Sequence, residues 1–176
     1  MFKADSPLVD FVFSSPNGRE RKASEKVTLI VLHGTWMKDD VGAVARLCDP
    51  ATEVSCHYYI MRHGEIAQLT PEARVAWHAG KSVWEGVEGV NAFSLGIEIG
   101  NGGDGTGELA PYVSQVEPYY PHQYLSLIQL LKELVQRYPG VKIVGHDQIS
   151  PGRKTDPGAH FDWSKLLAAG LPVARE

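Results

Sequence analysis

The strongest pattern in the chain is Thr28-Leu-Ile-Val-Leu-His33, apolar without interruption until its last residue. A strand buried on both faces reads this way, so the run predicts a central strand whose C-terminal end carries a polar group. Val141-Lys-Ile-Val144 predicts a second, shorter buried strand, also central, that leads into Gly145-His146. Between them, His57-Tyr-Tyr-Ile-Met61 and Glu65-Ile-Ala-Gln-Leu69 flank Arg62-His63-Gly64 and predict a β-hairpin. Phe93 to Ile99 predicts a further strand.

A different spacing marks the helices. Tyr124, Leu127, Ile128, Leu131, Leu134 and Val135 recur every three or four positions. They predict a helix with one apolar face, begun near Pro121 and ended by Pro139-Gly140. Asp39-Asp40 ahead of Val41, Val44, Ala45 and Leu47 predicts a short helix with acidic residues at its positive end, stopped by Pro50. Ser164 to Ala169 predicts a terminal helix capped by Asp162.

The stretch up to Lys26 is rich in Ser, Pro, Asn, Gly and charge, and predicts an extended lead-in with little regular structure. Asn101 to Gly107 is a Gly-rich run that lacks the Lys-Ser/Thr ending and the strand-to-helix setting of a phosphate cradle, and it reads as a flexible surface loop. With no internal repeat and no linker, residues 1–176 read as one mixed α/β domain built around one sheet.

Composition narrows the function. At 176 residues, 43% hydrophobic and 22% charged, the chain suits one ordinary globular enzyme domain. A net charge of −4 without a basic stretch argues against nucleic-acid binding. No run approaches the roughly 18 apolar residues that a membrane span needs, and Met1 to Asp10 lacks the apolar core of a signal peptide. Cys48 and Cys56, eight positions apart, form neither a CxxC pair nor a disulfide framework and read as free thiols. The lack of a visible signal peptide and the unpaired cysteines favour the cytoplasm, with export as the alternative, and a monomer is expected.

Position singles out a few polar residues. His33 and His146 end the two buried strands, so both open onto one edge of the sheet. Ten residues past His146, Asp156 lies in the turn-rich loop Pro151-Gly-Arg-Lys-Thr-Asp-Pro-Gly158. Two histidines and a carboxylate leave one position of a hydrolytic zinc open for water; the alternative for Asp156 is a hydrated turn residue. Glu98, inside Leu95-Gly-Ile-Glu-Ile99, is either the solvent-facing member of an alternating strand or a carboxylate that moves protons beside a metal. Lys154 is either a surface lysine or a fixed cation near a developing oxyanion.

Five segments occur in a familiar order: Leu32-His33-Gly34-Thr35, Val54-Ser55-Cys56-His57-Tyr58, Ala76-Trp77-His78-Ala79-Gly80, Ser94-Leu95-Gly96-Ile97-Glu98, and Gly145-His146 through Gly152-Arg-Lys-Thr-Asp-Pro-Gly158. From about Leu29 to Trp163 the chain resembles the type 2 N-acetylmuramoyl-L-alanine amidases of the peptidoglycan-recognition-protein superfamily, which implies an α/β fold with a central mixed β-sheet flanked by helices. The resemblance implies one Zn²⁺ per chain held by His33, His146 and Asp156, with Glu98 as acid/base and Lys154 stabilising the transition state. It places Trp77, His78 and Asn91 near the substrate groove and implies peptidoglycan or a muropeptide as the bound partner. The activity implied is hydrolysis of the amide between the lactyl group of N-acetylmuramic acid and L-alanine.

Three positions depart from the family pattern: Gly34 stands where Tyr or His is frequent, Val75 where an arginine usually precedes the Trp-His pair, and Cys56 where some phage relatives have tyrosine. Two other readings compete, a recognition module that binds peptidoglycan without cleaving it and a zinc hydrolase acting on a different amide. A cytoplasmic enzyme, an exported amidase and a phage lysin can share this domain.

Overall fold

The computed structural model describes residues 2–103 and 116–175. Its elements, in order, are β1 (Phe11–Val12), β2 (Gly18–Glu20), β3 (Leu29–Gly34), α1 (Asp40–Cys48), β4 (Tyr58–Ile60), β5 (Ile66–Gln68), β6 (Arg74–Ala76), β7 (Val83–Trp84), β8 (Val87–Glu88), β9 (Ser94–Ile99), α2 (Pro121–Arg137), β10 (Lys142–Gly145), α3 (His146–Ile149) and α4 (Trp163–Ala168). The main sheet has the order β1-β5-β4-β9-β3-β10. Strands β4, β9, β3 and β10 run parallel, and β5 is antiparallel to β4. This is the mixed sheet with flanking helices that the family resemblance implies. Among the described residues no helix is long and apolar enough to cross a membrane.

Every residue of β3 is buried, as its unbroken apolar run requires. Its two faces nevertheless differ. Ile30 and Leu32 share one face with Leu95, Ile97, Ile99, Tyr58 and Ile60, packed against Tyr124, Leu127, Leu130, Leu131 and Leu134 of α2. Burying each such leucine contributes about 1.5–3 kcal/mol. Leu29 and Val31 face the other way, towards Ala79, Val90, Val144 and Ile149. Successive strand residues alternate faces, so His33 continues the Leu29–Val31 series and Glu98 continues Ser94–Gly96. Both functional candidates therefore lie on the side of the sheet away from α2.

Most predicted elements occur where the pattern places them. Asp39 caps α1 by accepting from the Gly42 N–H at 2.7 Å, a contact that stabilises such a helix by about 1 kcal/mol. The Ser164 N–H is likewise accepted by Asp162 at α4. Both cysteines are free, Cys56 buried and Cys48 half-buried.

The lead-in has the little regular structure expected of it, two short strands, of which β1 pairs in parallel with β5 and β2 pairs antiparallel with β6. These pairings use backbone groups alone and need no apolar periodicity to form. Two expectations are corrected. Strand β10 is not central but ends the sheet, beside β3, with its outer side bonded by the Pro172–Ala174 segment. Val41 is 81% exposed, while Ala43, Val44 and Leu47 bury the inner face of α1. The Gly-rich loop expected from Asn101 lies, beyond Gly103, outside the described residues.

Candidate metal centre

Parallel pairing sets the geometry of the site. His33 stands opposite Glu98 in the β3–β9 register, and Leu32 stands opposite Gly145 in the β3–β10 register. His146 follows Gly145 as the first residue of α3. Three neighbouring strands thus deliver His33, Glu98 and His146 to one sheet edge, the C-terminal side of a parallel sheet where sites commonly form. Asp156 returns to it in the loop after α3, held by the Asp147 N–H donating to the Asp156 carbonyl at 3.0 Å.

The atoms that converge are His33 Nδ1, His146 Nδ1 and Asp156 Oδ2. The two nitrogens are 2.9 Å apart, and the carboxylate oxygen is 3.2 Å from one and 3.0 Å from the other. All three residues are buried. On the far side of the His146 ring, Nε2 lies 3.2 Å from the Ala79 carbonyl, which can only accept, and 3.4 Å from Arg153 Nη2, which can only donate; the shorter contact places the proton on Nε2. His146 Nδ1 is then a bare acceptor aimed at the carboxylate. Burial, and next the His146 ring, hold the His33 imidazole down at about 4, so it is neutral at neutral pH. Electron pairs packed at these distances with so few protons among them suit a divalent cation. Two imidazoles and a carboxylate are a zinc-type set, whose bonds of about 2.0–2.2 Å place neighbouring ligand atoms about 3.3 Å apart.

Around this cluster opens a groove of about 750 Å³. Glu98, Lys154, Trp77 and His78 line it, together with Trp36, Met37, Arg46 and Arg153. Glu98 is half-buried by its surroundings, and its Oε2 is a buried atom without a hydrogen-bond partner. Burial, and then the neighbouring Asp156 charge, push its carboxyl up to about 8, while the Thr35 hydroxyl and Lys154 act in the opposite sense. Lys154 is exposed at the rim.

Asn91 is not among the groove-lining residues. Its Oδ1 accepts from the backbone N–H groups of His78 and Ala79 at 3.1 and 2.8 Å. The space beside Gly34 is filled from elsewhere in the chain: a Cβ there would lie 2.4 Å from the Tyr119 hydroxyl and 2.9 Å from Trp36 Nε1. Val75 is buried in β6, and the neighbouring Arg74 pairs with Glu20. Sequence reading did not find Arg153, whose guanidinium donates to the Ala79 and Lys81 carbonyls and to Ser150 Oγ. Its only signal was proximity to Lys154.

A buried two-histidine, one-carboxylate cluster that could hold a metal ion, at the open edge of a parallel sheet with a carboxylate beside it and a groove above it, marks a hydrolase-type site on an α/β domain. Comparison with known proteins makes the class specific. The family model described as N-acetylmuramoyl-L-alanine amidase matches residues 23–159, and the chain belongs to that family of enzymes. It is 36% identical over 175 residues to the 1,6-anhydro-N-acetylmuramyl-L-alanine amidase AmpD of Enterobacter cloacae, covering 88% of this chain and 86% of that one. A selenomethionine derivative of AmpD superposes with a TM-score of 0.75 at 31% identity, over 93% of this chain and 95% of that one. Escherichia coli AmiD, solved with anhydro-N-acetylmuramic acid-L-Ala-D-γ-Glu-L-Lys, superposes with a TM-score of 0.73 at 34% identity, over 87% of this chain and 62% of that one.

Proposed function

We propose that the protein is a zinc-dependent amidase that hydrolyses the amide between the lactyl group of N-acetylmuramic acid and L-alanine in muropeptides. The observation that carries this reading is the convergence of His33 Nδ1, His146 Nδ1 and Asp156 Oδ2 beneath a groove that also holds Glu98 and Lys154. Family membership supplies the substrate class, and AmiD was solved with an anhydromuramyl peptide of this type.

His33, His146 and Asp156 would hold the zinc, which when bound would supply Lewis acidity to the scissile carbonyl and to water. The remaining work falls to the chain. Glu98, in its partly dry setting, takes a proton from the attacking water and returns it to the leaving L-alanine nitrogen, a role that favours a carboxyl poised near neutrality. Lys154 places a cation at the rim of the groove near the carbonyl oxygen as negative charge develops there. Trp77 offers a half-buried aromatic face to the sugar or peptide.

The test is hydrolysis of an anhydromuramyl tripeptide followed by mass spectrometry, with and without prior chelation. Release of the intact tripeptide with a free L-alanine amine, abolished by chelation and restored by Zn²⁺, is the expected result. Cleavage at any other amide, or turnover indifferent to chelation, overturns the reading.

A further inference from the structure

Behind the ligands, one short segment touches both histidines. His33 Nε2 lies 3.0 Å from His78 Nδ1, and His146 Nε2 lies 3.2 Å from the carbonyl of the next residue, Ala79. The other nitrogen of His78, Nε2, lies 3.0 Å from Ser94 Oγ, which donates to the Val90 carbonyl at 2.7 Å. Gly96 leaves room for this ring: a Cβ there would lie 2.3 Å from His78 Cγ.

The protons along this chain can be counted. A carbonyl only accepts, so the single Ser94 hydroxyl proton goes to Val90. Ser94 Oγ must then accept from His78, which puts the His78 proton on Nε2. In a neutral imidazole the other nitrogen is an acceptor, so His78 Nδ1 receives the Nε2 proton of His33. That leaves His33 Nδ1 bare and facing the cluster, as the Ala79 carbonyl leaves His146 Nδ1.

We propose that the His78–Ala79 segment, pinned by Asn91 and relayed from Ser94, sets the tautomers of both ligand histidines so that each presents Nδ1 to the metal. His78 and Asn91 are positioning residues that act through the ligand histidines, although the His78 side chain also reaches the groove. This inference rests on the zinc reading for its purpose but on hydrogen-bond geometry for its content. Second-layer partners of this kind typically change metal affinity by about 10- to 100-fold.

Two measurements on purified full-length chain test it. Long-range ¹H–¹⁵N spectra of histidine-labelled, metal-stripped protein at neutral pH read the tautomers directly, and chelator competition reads zinc affinity. The wild type should show Nε2–H tautomers at His33, His78 and His146. Ser94→Ala removes one buried oxygen and should release His78 and His33 into mixed tautomers and weaken zinc binding by about 10- to 100-fold. His146, whose acceptor is the untouched Ala79 carbonyl, should keep its tautomer and report that the fold is intact. His78→Phe, of similar volume, should weaken zinc at least as much. An Nδ1–H tautomer at His33 in the wild type, or unchanged spectra and affinity in Ser94→Ala, overturns the proposal. Wild-type protein that shows these tautomers yet takes up no zinc overturns the zinc reading and leaves the relay standing.

Discussion

Glu98 stands directly opposite His33 in the parallel register of β9 and β3, so both side chains leave the same face of the sheet. The carboxylate is thereby tied to the candidate metal centre by backbone pairing and not by a loop. Glu98→Gln should retain zinc and fold while turnover falls by about 10²–10⁴, the range for loss of a general acid–base. Because Oε2 lacks a partner in a buried setting, the variant should also melt at a higher temperature than the wild type. Near wild-type turnover would return Glu98 to a merely structural strand position.

Lys154 and Asp156 share one loop but differ in burial, the first exposed and the second buried. Asp156→Ala removes a converging oxygen and the charge that balances the cation, so zinc content and activity should collapse together. Lys154→Ala should keep zinc stoichiometric while turnover falls by about 10²–10³, as for loss of one oxyanion-stabilising contact. Metal analysis and turnover on the same preparations separate the two; equal zinc loss would show that the loop acts as one structural unit.

Gly96→Ala should be far more damaging than its size suggests, because the added Cβ would overlap the His78 ring at 2.3 Å. Overpacking of this kind typically costs about 1–3 kcal/mol. Displacement of His78 should lower zinc affinity as well, which calorimetry with and without bound metal would resolve. Wild-type melting would mean that the ring has room to move aside.

His57 supplies the pH test. Its Nε2–H donates to the Arg74 carbonyl and its Nδ1 accepts from the Gly96 N–H. Burial holds its pKa down to about 3, against about 6.5 in the unfolded chain. A depressed histidine pKa means that the unfolded state binds the proton first. Its contribution is complete above pH 6.5 and is lost as pH falls towards 3, by at most about 1.4 kcal/mol per pH unit. Denaturant melts between pH 7 and 4 should show this acid limb, and His57→Gln, able to make both contacts without titrating, should flatten it. An unchanged slope would assign the acid loss to other groups.

The sequence by itself determined the elements whose formation depends on side-chain periodicity. The unbroken run at β3, the hairpin of β4 and β5, and the three-and-four spacing of α2 each state which residues must leave water. It also determined the candidate ligands, since His33 and His146 end apolar runs and Asp156 falls in a matching loop. Beyond the β4–β5 hairpin, tertiary structure alone decided how the strands pair. Backbone groups are alike along the chain, so nothing in Phe11–Val12 or Gly18–Glu20 announced their partners, and nothing in Val141–Val144 placed β10 at an edge. The layer behind the ligands was hidden for the same reason. His78 meets His33 across 45 positions and Ala79 meets His146 across 67, and a hydrogen bond between such distant residues depends on distance and direction that only the packed sheet supplies.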